Sequence, residues 1–308
     1  MEKKINEKLI QMLTCPVDRT PLSFDGSAFH CISSTGHNYP VINGIPRFVQ
    51  SDNYVSSFSL EWNIHNKTQL DCFRDDAVSE KEFMTKTDFS PGDLRGKLIL
   101  DAGVGAGRYT DIMSRWGAEV VGVDLSYAVE AAHKSFCDRE NVMIVQGDIS
   151  ALPFRHGTFD AIISIGVLHH TPDTFRYFSY LVPFLKPGGS IAIWVYPNEG
   201  QFRVRKKWIP FTSRIPNSLF YAWCQWFIPI THRHASNPII EALRPLFPWS
   251  DQGLGVEYDV LDTFDGYSPR YHGIHSREEV MAWFKEVGLI EVYSPNDCNT
   301  AVRGRLPG

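Results

Sequence analysis

The chain has 308 residues, with 30 Lys plus Arg against 35 Asp plus Glu and a formal net charge of −5. No global basic field is therefore available to hold nucleic acid by counterion release, and no nucleic-acid partner is expected. No run approaches the ~20 uninterrupted apolar residues of a membrane-spanning helix. Cys15, Cys31, Cys72, Cys137, Cys224 and Cys298 are scattered without close pairs, and the first residues, Met1 to Lys8, surround no apolar core. A reducing, cytoplasmic setting is expected from these two features. The length accommodates one full-size core plus a small accessory unit.

Residues 1–50 form the accessory unit. Leu13-Thr14-Cys15-Pro16-Val17-Asp18, Phe29-His30-Cys31-Ile32-Ser33-Ser34 and the run from His37 to Phe48 resemble a small zinc-ribbon-like β module. That resemblance implies two Cys-x-x-Cys knuckles, but Asp18 and Ser34 stand at the second position of each. Structural zinc takes four strong ligands in a closed tetrahedron, and a serine hydroxyl is a poor one. The module is therefore expected to be metal-free and held by Tyr39, Ile45 and Phe48, with His37 the residue that could rescue a site. Residues 51–94 read as linker helices. Within them Phe58-Ser59-Leu60-Glu61-Trp62 either anchors the segment by packing or belongs to a helix that closes over a cofactor.

The core opens at Leu98-Ile99-Leu100-Asp101-Ala102, an aliphatic run without polar alternation that reads as a buried parallel strand. It stops at the turn Gly103-Val104-Gly105-Ala106-Gly107. Glycines there let a backbone approach a ligand where a β-carbon would clash, but the third glycine of the dinucleotide fingerprint is here Arg108. Asp101, ahead of the turn, would repel a pyrophosphate and suits a ligand carrying an ammonium group. Gly117 to Asp124 reads as a second buried strand ending in an acid 23 positions after Asp101, near the spacing that puts a carboxylate on ribose hydroxyls. Val142 to Ile149 is a third strand with Asp148 at its end. Phe159 to His170 is a fourth strand running into a loop, and Lys186-Pro187-Gly188-Gly189 is read as ending a helix before a fifth strand, Ser190 to Val195.

These residues, in this order, resemble the Rossmann-like class I S-adenosylmethionine-dependent methyltransferases, closely over about residues 95–197 and more loosely over 276–303. The resemblance implies an α/β fold with a doubly wound, mostly parallel sheet across residues 95–308, and S-adenosylmethionine as cofactor. It implies cofactor contacts from Asp101, Gly103, Gly105, Gly107, Asp124, Leu125, Asp148, Ile149 and Ile165, with Asp148 meeting the adenine amino group. Ser126 is a plausible cap for a helix from Tyr127 to Phe136, and Thr171-Pro172-Asp173 offers a cap, a first-turn proline and a first-turn acid for a helix from Phe175.

Residues 198–275 depart from the minimal fold. Trp208, Trp223, Trp226, Trp249, Phe202, Phe211, Phe220, Phe227 and Phe247 lie among Arg203, Arg205, Lys206 and Lys207. This helical, aromatic insert either forms a lid over a small or amphiphilic acceptor, touches a membrane surface, or simply packs on the sheet. Six prolines, from Pro210 to Pro248, are expected to break any long helix there. Ser276-Arg277-Glu278-Glu279 opens a later helix as a capping box, and Leu289 to Tyr293 reads as a late strand. His169 and His170 stand where a general base could serve the acceptor, with His170 favoured. Either ring could instead be a wall that moves no proton. His272 is a further catalytic candidate, and Arg270 and Tyr271 are candidate acceptor contacts. The alternatives to methyl transfer are transfer of another group from the same kind of cofactor and a non-catalytic cofactor-binding protein.

Overall fold

The computed structural model describes residues 6–33, 36–49, 78–234, 237, 248–249 and 255–308. The readings placed on Phe58 to Trp62, Ser34, Cys72 and Phe247 lie outside the described residues.

The main sheet has seven strands. β5 (Leu98–Ala102), β6 (Glu119–Asp124), β7 (Val142–Gln146), β8 (Phe159–Ile165) and β9 (Leu185–Trp194) run parallel in the spatial order β7-β6-β5-β8-β9. β10 (Ile290–Tyr293) and β11 (Ala301–Arg305) extend the β9 edge, β11 pairing antiparallel with β9. Every residue of β5 and β7 is buried, as uninterrupted aliphatic runs require when helices cover both faces. One face packs Phe83, Ile112, Met113 and Trp116 against Ile99 and Ile163; the other carries the larger cluster around Phe154, Phe178 and Phe284. The chain winds outward from β5 to β6 and β7, then returns to β8 on the other side of β5. The crevice at their carboxyl ends is the topological switch point, where α/β sheets bind ligands.

Several helix boundaries differ from the sequence reading, each for a local reason. Asp173, not Thr171, caps α6 (Thr174–Leu181), its carboxylate accepting the Arg176 N–H at 3.0 Å. The Thr171 hydroxyl instead donates to the Leu168 carbonyl. Lys186 to Gly189 does not end a helix: α6 stops at Leu181, a single 3-10 turn (Val182–Phe184) follows, and those residues are already inside β9. The helix after β6, α5 (Ala128–Phe136), starts one residue later than expected, with the Ser126 hydroxyl accepting from Ala128 N–H. The capping box at Ser276 and Glu279 opens α10 (Arg277–Glu286) as expected.

The insert is helical, and its prolines break less than expected. α7 (Gly200–Thr212) contains Pro210, and the 17-residue α8 (Asn217–Arg233) contains Pro229. Pro210 lies two residues and Pro229 four residues before its helix ends, so each gives up the one bond its missing N–H would have made, and little helix follows for a kink to redirect. α8 packs on α9 (Val256–Tyr267) through a small core of Phe220, Tyr221, Cys224, Ile228, Trp249, Val260 and Phe264.

The N-terminal unit is α1 (Glu7–Met12) and the antiparallel sheet β1 (Leu22–Phe24), β2 (Ala28–Cys31), β3 (Asn38–Ile42) and β4 (Ile45–Pro46). Tyr39 packs on Phe48 with ring centroids 4.7 Å apart, while Ile45 leaves the module's centre to join Val104, Val129 and Ile144 of the main domain. The two units are tied by Thr14 N–H to Pro153 O (2.9 Å) and Phe48 N–H to Gln146 O (2.8 Å). Buried Arg47 pairs with Glu130 and donates to Gln146 Oε1 (3.1 Å), and Gln146 Nε2 donates to the Leu125 carbonyl (3.0 Å). The accessory module thus reaches, through two side chains, the loop that follows Asp124.

Candidate cofactor and acceptor site

The turn after β5 is built for a close approach of backbone. Gly103 and Gly107 both adopt φ near +95°, a conformation that L side chains rarely adopt. A β-carbon on Gly103 would lie 2.3 Å from Val167 Cγ2, and one on Gly107 would lie 2.2 Å from Phe136 Cε2. Gly105 points its N–H at Asp124 Oδ2 (2.9 Å), so the turn folds directly over the end of β6.

Three carboxylates stand along this edge at the ends of β5, β6 and β7. Asp101 is buried, and its Oδ2 accepts a hydrogen bond from the neutral Thr110 hydroxyl at 2.7 Å. Burial, assisted by the nearby Asp124 charge and opposed by Thr110, pushes its pKa up to about 6. A buried acid held this way would be stabilised in its charged form by a bound cation, which fits the ammonium of S-adenosylmethionine. Asp124 is also raised by burial, against hydrogen bonds from Ser126 N–H (2.8 Å), Ser126 Oγ (2.7 Å) and Gly105 N–H. Asp148 caps a 3-10 turn (Ile149–Ala151) by accepting Ser150 N–H at 2.8 Å. Ile149 is buried in that 3-10 turn, and Ile165 is buried at the end of β8. The nine residues assigned to the cofactor from sequence therefore lie along the carboxyl ends of β5 to β8 or in the loops that leave them.

On the β8–β9 side the edge is aromatic. The 3-10 turn Leu168–His170 places His169 flat on Tyr196, with ring centroids 3.6 Å apart, and edge-on to Trp194 at 6.1 Å. His170 and His272 lie 6.2 Å apart, and both pack on Tyr196, which also contacts Phe202 of the insert at 4.5 Å. The segment from Ser268 to His275 returns over this same edge: Gly273 N–H bonds to His169 O (2.8 Å) and His275 N–H to Tyr196 O (2.9 Å). His170 Nδ1 lies 3.1 Å from the Tyr271 carbonyl, and His272 Nε2 lies 3.2 Å from the Phe202 carbonyl. Carbonyls only accept, so these nitrogens carry the ring protons, leaving His170 Nε2 and His272 Nδ1 as the lone-pair nitrogens. Among the described residues neither ring nitrogen of His169 has a hydrogen-bond partner. Burial lowers all three pKa values, His170 to about 3 and His272 to about 4; neighbouring imidazoles add to this for His169 and His170, and the charges of Arg205 and Lys206 add to it for His272. All three are neutral at physiological pH. Arg270 is exposed at the rim with its guanidinium over Tyr271.

Sequence reasoning missed the polar group under the turn. Arg108 opens α4 (Arg108–Arg115), where the helix dipole disfavours a cation. It is held by Glu82 of α2 (Val78–Thr87) and by Ser79 Oγ at 2.9 Å. Burial alone would raise the Glu82 pKa, but the charges of Lys86 and Arg108 override it and hold the acid at about 2. Lys86, paired with Glu82, lies with Nζ 3.4 Å from the Trp194 ring centroid. The signal was available: an arginine in place of the third glycine must either reach solvent or find a buried acid.

Residues 100–193 match the family described as a methyltransferase domain. Over 220 residues the chain is 26% identical to a tRNA U34 carboxymethyltransferase of Pseudoalteromonas translucida, covering 68% of this chain and 58% of that one. It is 36% identical over 102 residues to a demethylmenaquinone methyltransferase of Thermobifida fusca, covering 32% of this chain and 43% of that one. One chain of a solved complex containing the Haloferax volcanii Trm112 methyltransferase activator aligns with a TM-score of 0.50 at 14% identity, covering 84% of this chain and 100% of that one. The chain spans 27% to 58% of the length of the curated relatives that match it first. Residues 100–193 are thus similar to a methyltransferase domain, and the parallel sheet that carries them has the topology described above.

Proposed function

We propose that the chain transfers a methyl group from S-adenosylmethionine to a small or lipid-like acceptor held against the histidine and aromatic cluster. The observation that carries this reading is the division of one sheet edge. Carboxylates suited to a cationic, ribose-bearing donor line β5 to β7, and neutral imidazoles and rings line β8 and β9. Asp101 would hold the ammonium, Asp124 the ribose hydroxyls and Asp148 the adenine amino group. The cofactor supplies an electrophilic methyl already activated by its sulfonium charge, so the chain's own work is to align the acceptor, worth up to ~7–11 kcal/mol in well-oriented systems.

His170 is the residue on which we place proton acceptance, through Nε2. With a pKa near 3 it is neutral at working pH and a weak base, able to take a proton only from an acceptor that becomes strongly acidic as the new bond forms. Incubation with labelled S-adenosylmethionine and candidate phenols, amines and quinols tests the reading. Label in a small-molecule product supports it, and saturable cofactor binding with no transfer to any acceptor favours a non-catalytic role.

A second reading is transfer of a group other than methyl, favoured by the similarity to the carboxymethyltransferase over 68% of the chain. Mass spectrometry of the ligand that copurifies with the chain separates the two, because a carboxylated donor is heavier than S-adenosylmethionine.

An acceptor presented at a membrane would account for the outer surface of the insert. Leu219, Trp226 and Ile230 of α8 are exposed, as is Phe211 of α7, with the exposed cations Lys206, Lys207 and Arg214 nearby. An apolar face bordered by basic residues fits an anionic lipid surface. No helix among the described residues is long and apolar enough to cross a membrane, and the five described cysteines are free, in keeping with the cytoplasmic placement proposed here.

A further inference from the structure

The sequence reading counted Asp18 as a lost ligand and expected a metal-free module. The fold places Asp18 otherwise. Cys15 Sγ, an Asp18 carboxylate oxygen, Cys31 Sγ and a His37 ring nitrogen all lie within 4.8 Å of one another. Cys15 Sγ is 3.4 Å from His37 Nδ1, Cys31 Sγ is 3.4 Å from Asp18 Oδ2, and His37 Nδ1 is 4.0 Å from the same oxygen. Zinc bonds of ~2.3 Å to sulfur and ~2.0–2.2 Å to nitrogen or oxygen, set tetrahedrally, require ligand–ligand edges of about 3.3–3.8 Å. The Cys15–His37 and Cys31–Asp18 separations already fall in that range, His37–Asp18 is 4.0 Å, and the remaining pairs are within 4.8 Å.

The local chain explains how they come together. Cys15 and Asp18 sit on a tight turn closed by Arg19 N–H to Cys15 O and Cys15 N–H to Thr20 O, both 2.9 Å, with Arg19 at φ 63°. Cys31 ends β2, and its N–H bonds to the His37 carbonyl at 2.9 Å, which brings His37 back to the same end of the sheet. Three hydroxyls surround the donors. Tyr39 OH lies 3.2 Å from Cys15 Sγ, Thr20 Oγ1 lies 2.8 Å from Cys31 Sγ, and Ser33 Oγ donates to Asp18 Oδ2 at 2.6 Å. Outer hydroxyls that donate to thiolate and carboxylate ligands orient them and offset their charge. Cys15 and Cys31 are buried, while Asp18 and His37 are partly open to solvent, which leaves an entry path.

We propose that these four residues form a structural site for a zinc-class dication, with a Cys₂AspHis donor set. Two thiolates, one imidazole and one carboxylate are a borderline-soft set that suits Zn²⁺ and excludes Mg²⁺ and Ca²⁺, which take oxygen ligands. Binding converts both thiols to thiolates and releases two protons per metal, leaving a site of net charge −1. The site closes the free end of a sheet that joins the methyltransferase domain at Arg47 and Phe48.

The test uses the full chain, stripped with chelator and titrated with Co²⁺ and then Zn²⁺. The expected result is one equivalent of tightly held metal, with visible d–d bands and a thiolate-to-cobalt absorption characteristic of tetrahedral sulfur ligation, bleached by one equivalent of Zn²⁺. Cys31→Ser and His37→Ala should each lower affinity at least a hundredfold, whereas Cys137→Ser, at an exposed cysteine outside the cluster, should bind as the wild type does. Asp18→Cys keeps the test decisive if the other variants misfold: it should retain one equivalent and strengthen the thiolate band. A wild-type chain that takes up less than a tenth of an equivalent overturns the proposal, as does cobalt that binds without a thiolate band or binds unchanged in Cys31→Ser.

Discussion

The two halves of the ligand-facing edge are made by different physics. On the β5–β7 side the acids and glycines proposed for the cofactor are placed by the backbone: Asp101 by β5, Asp124 by β6, and Gly103 by a φ that excludes a side chain. On the β8–β9 side the groups are placed by long-range packing. His169 depends on Tyr196, His170 on the carbonyl of Tyr271, and His272 on the carbonyl of Phe202.

If that division holds, substitutions on one side should leave the other side's measurement alone. The largest effect is expected at His170. His170→Ala should lower turnover ~10²–10⁴-fold while leaving cofactor affinity within twofold. Because burial and its neighbours hold the ring's pKa near 3, its loss should not remove any inflection in the kcat profile between pH 5 and 8. An inflection near pH 6.5 in the wild type that disappears in His170→Ala would show a ring that is exposed and titrating.

Gly103→Ala comes next. Its β-carbon would overlap Val167 at a positive φ, so S-adenosylmethionine affinity should fall at least tenfold and the melting temperature should drop. Unchanged affinity and melting, measured by calorimetry, would mean that the turn relaxes at no cost.

Asp101→Asn sharpens the comparison through pH. The folded pKa near 6 lies above the ordinary carboxylate value, so the folded chain holds more protons than the unfolded one between about pH 4 and 6. The acid's contribution to stability is thus fully present below pH 4 and lost as pH rises through 6. Asp101→Asn should therefore raise the melting temperature at pH 7.5 more than at pH 4. It should also abolish the weakening of cofactor binding that is expected of the wild type as pH falls through 6. A wild-type affinity flat from pH 7.5 to 5 would remove the ammonium assignment.

The smallest effect concerns the insert. Trp226→Ala should leave cofactor affinity and turnover on a water-soluble acceptor unchanged. It should lower binding to vesicles containing a quarter phosphatidylglycerol severalfold, with binding of the wild type weakening as salt rises. Equal flotation of variant and wild type would make the exposed α8 face an ordinary surface.

What the sequence made legible follows the same division. Strands such as Leu98 to Ala102 and the acids ending them could be read because their spacing is local and their burial is continuous. The His169 and Tyr196 stack, the identity of Glu82 as the acid that holds Arg108 and the meeting of Asp18 with His37 could not, since each joins segments whose proximity exists only after folding. The prolines misled for a simpler reason, because a proline in the last turns of a helix bends or ends little of it, and distance from the end cannot be judged before the end is known.

The measurement that bears most directly on the account is calorimetric titration of the wild type and Asp124→Ala with S-adenosylmethionine and, separately, NAD. Asp124 accepts the Gly105 N–H of the glycine turn, and hydrogen bonds to a charged group contribute ~1.5–3 kcal/mol. The account predicts one wild-type site for S-adenosylmethionine, an affinity at least tenfold weaker in Asp124→Ala, and no binding of NAD. Equal affinity in the two proteins, or saturable binding of NAD, would contradict it.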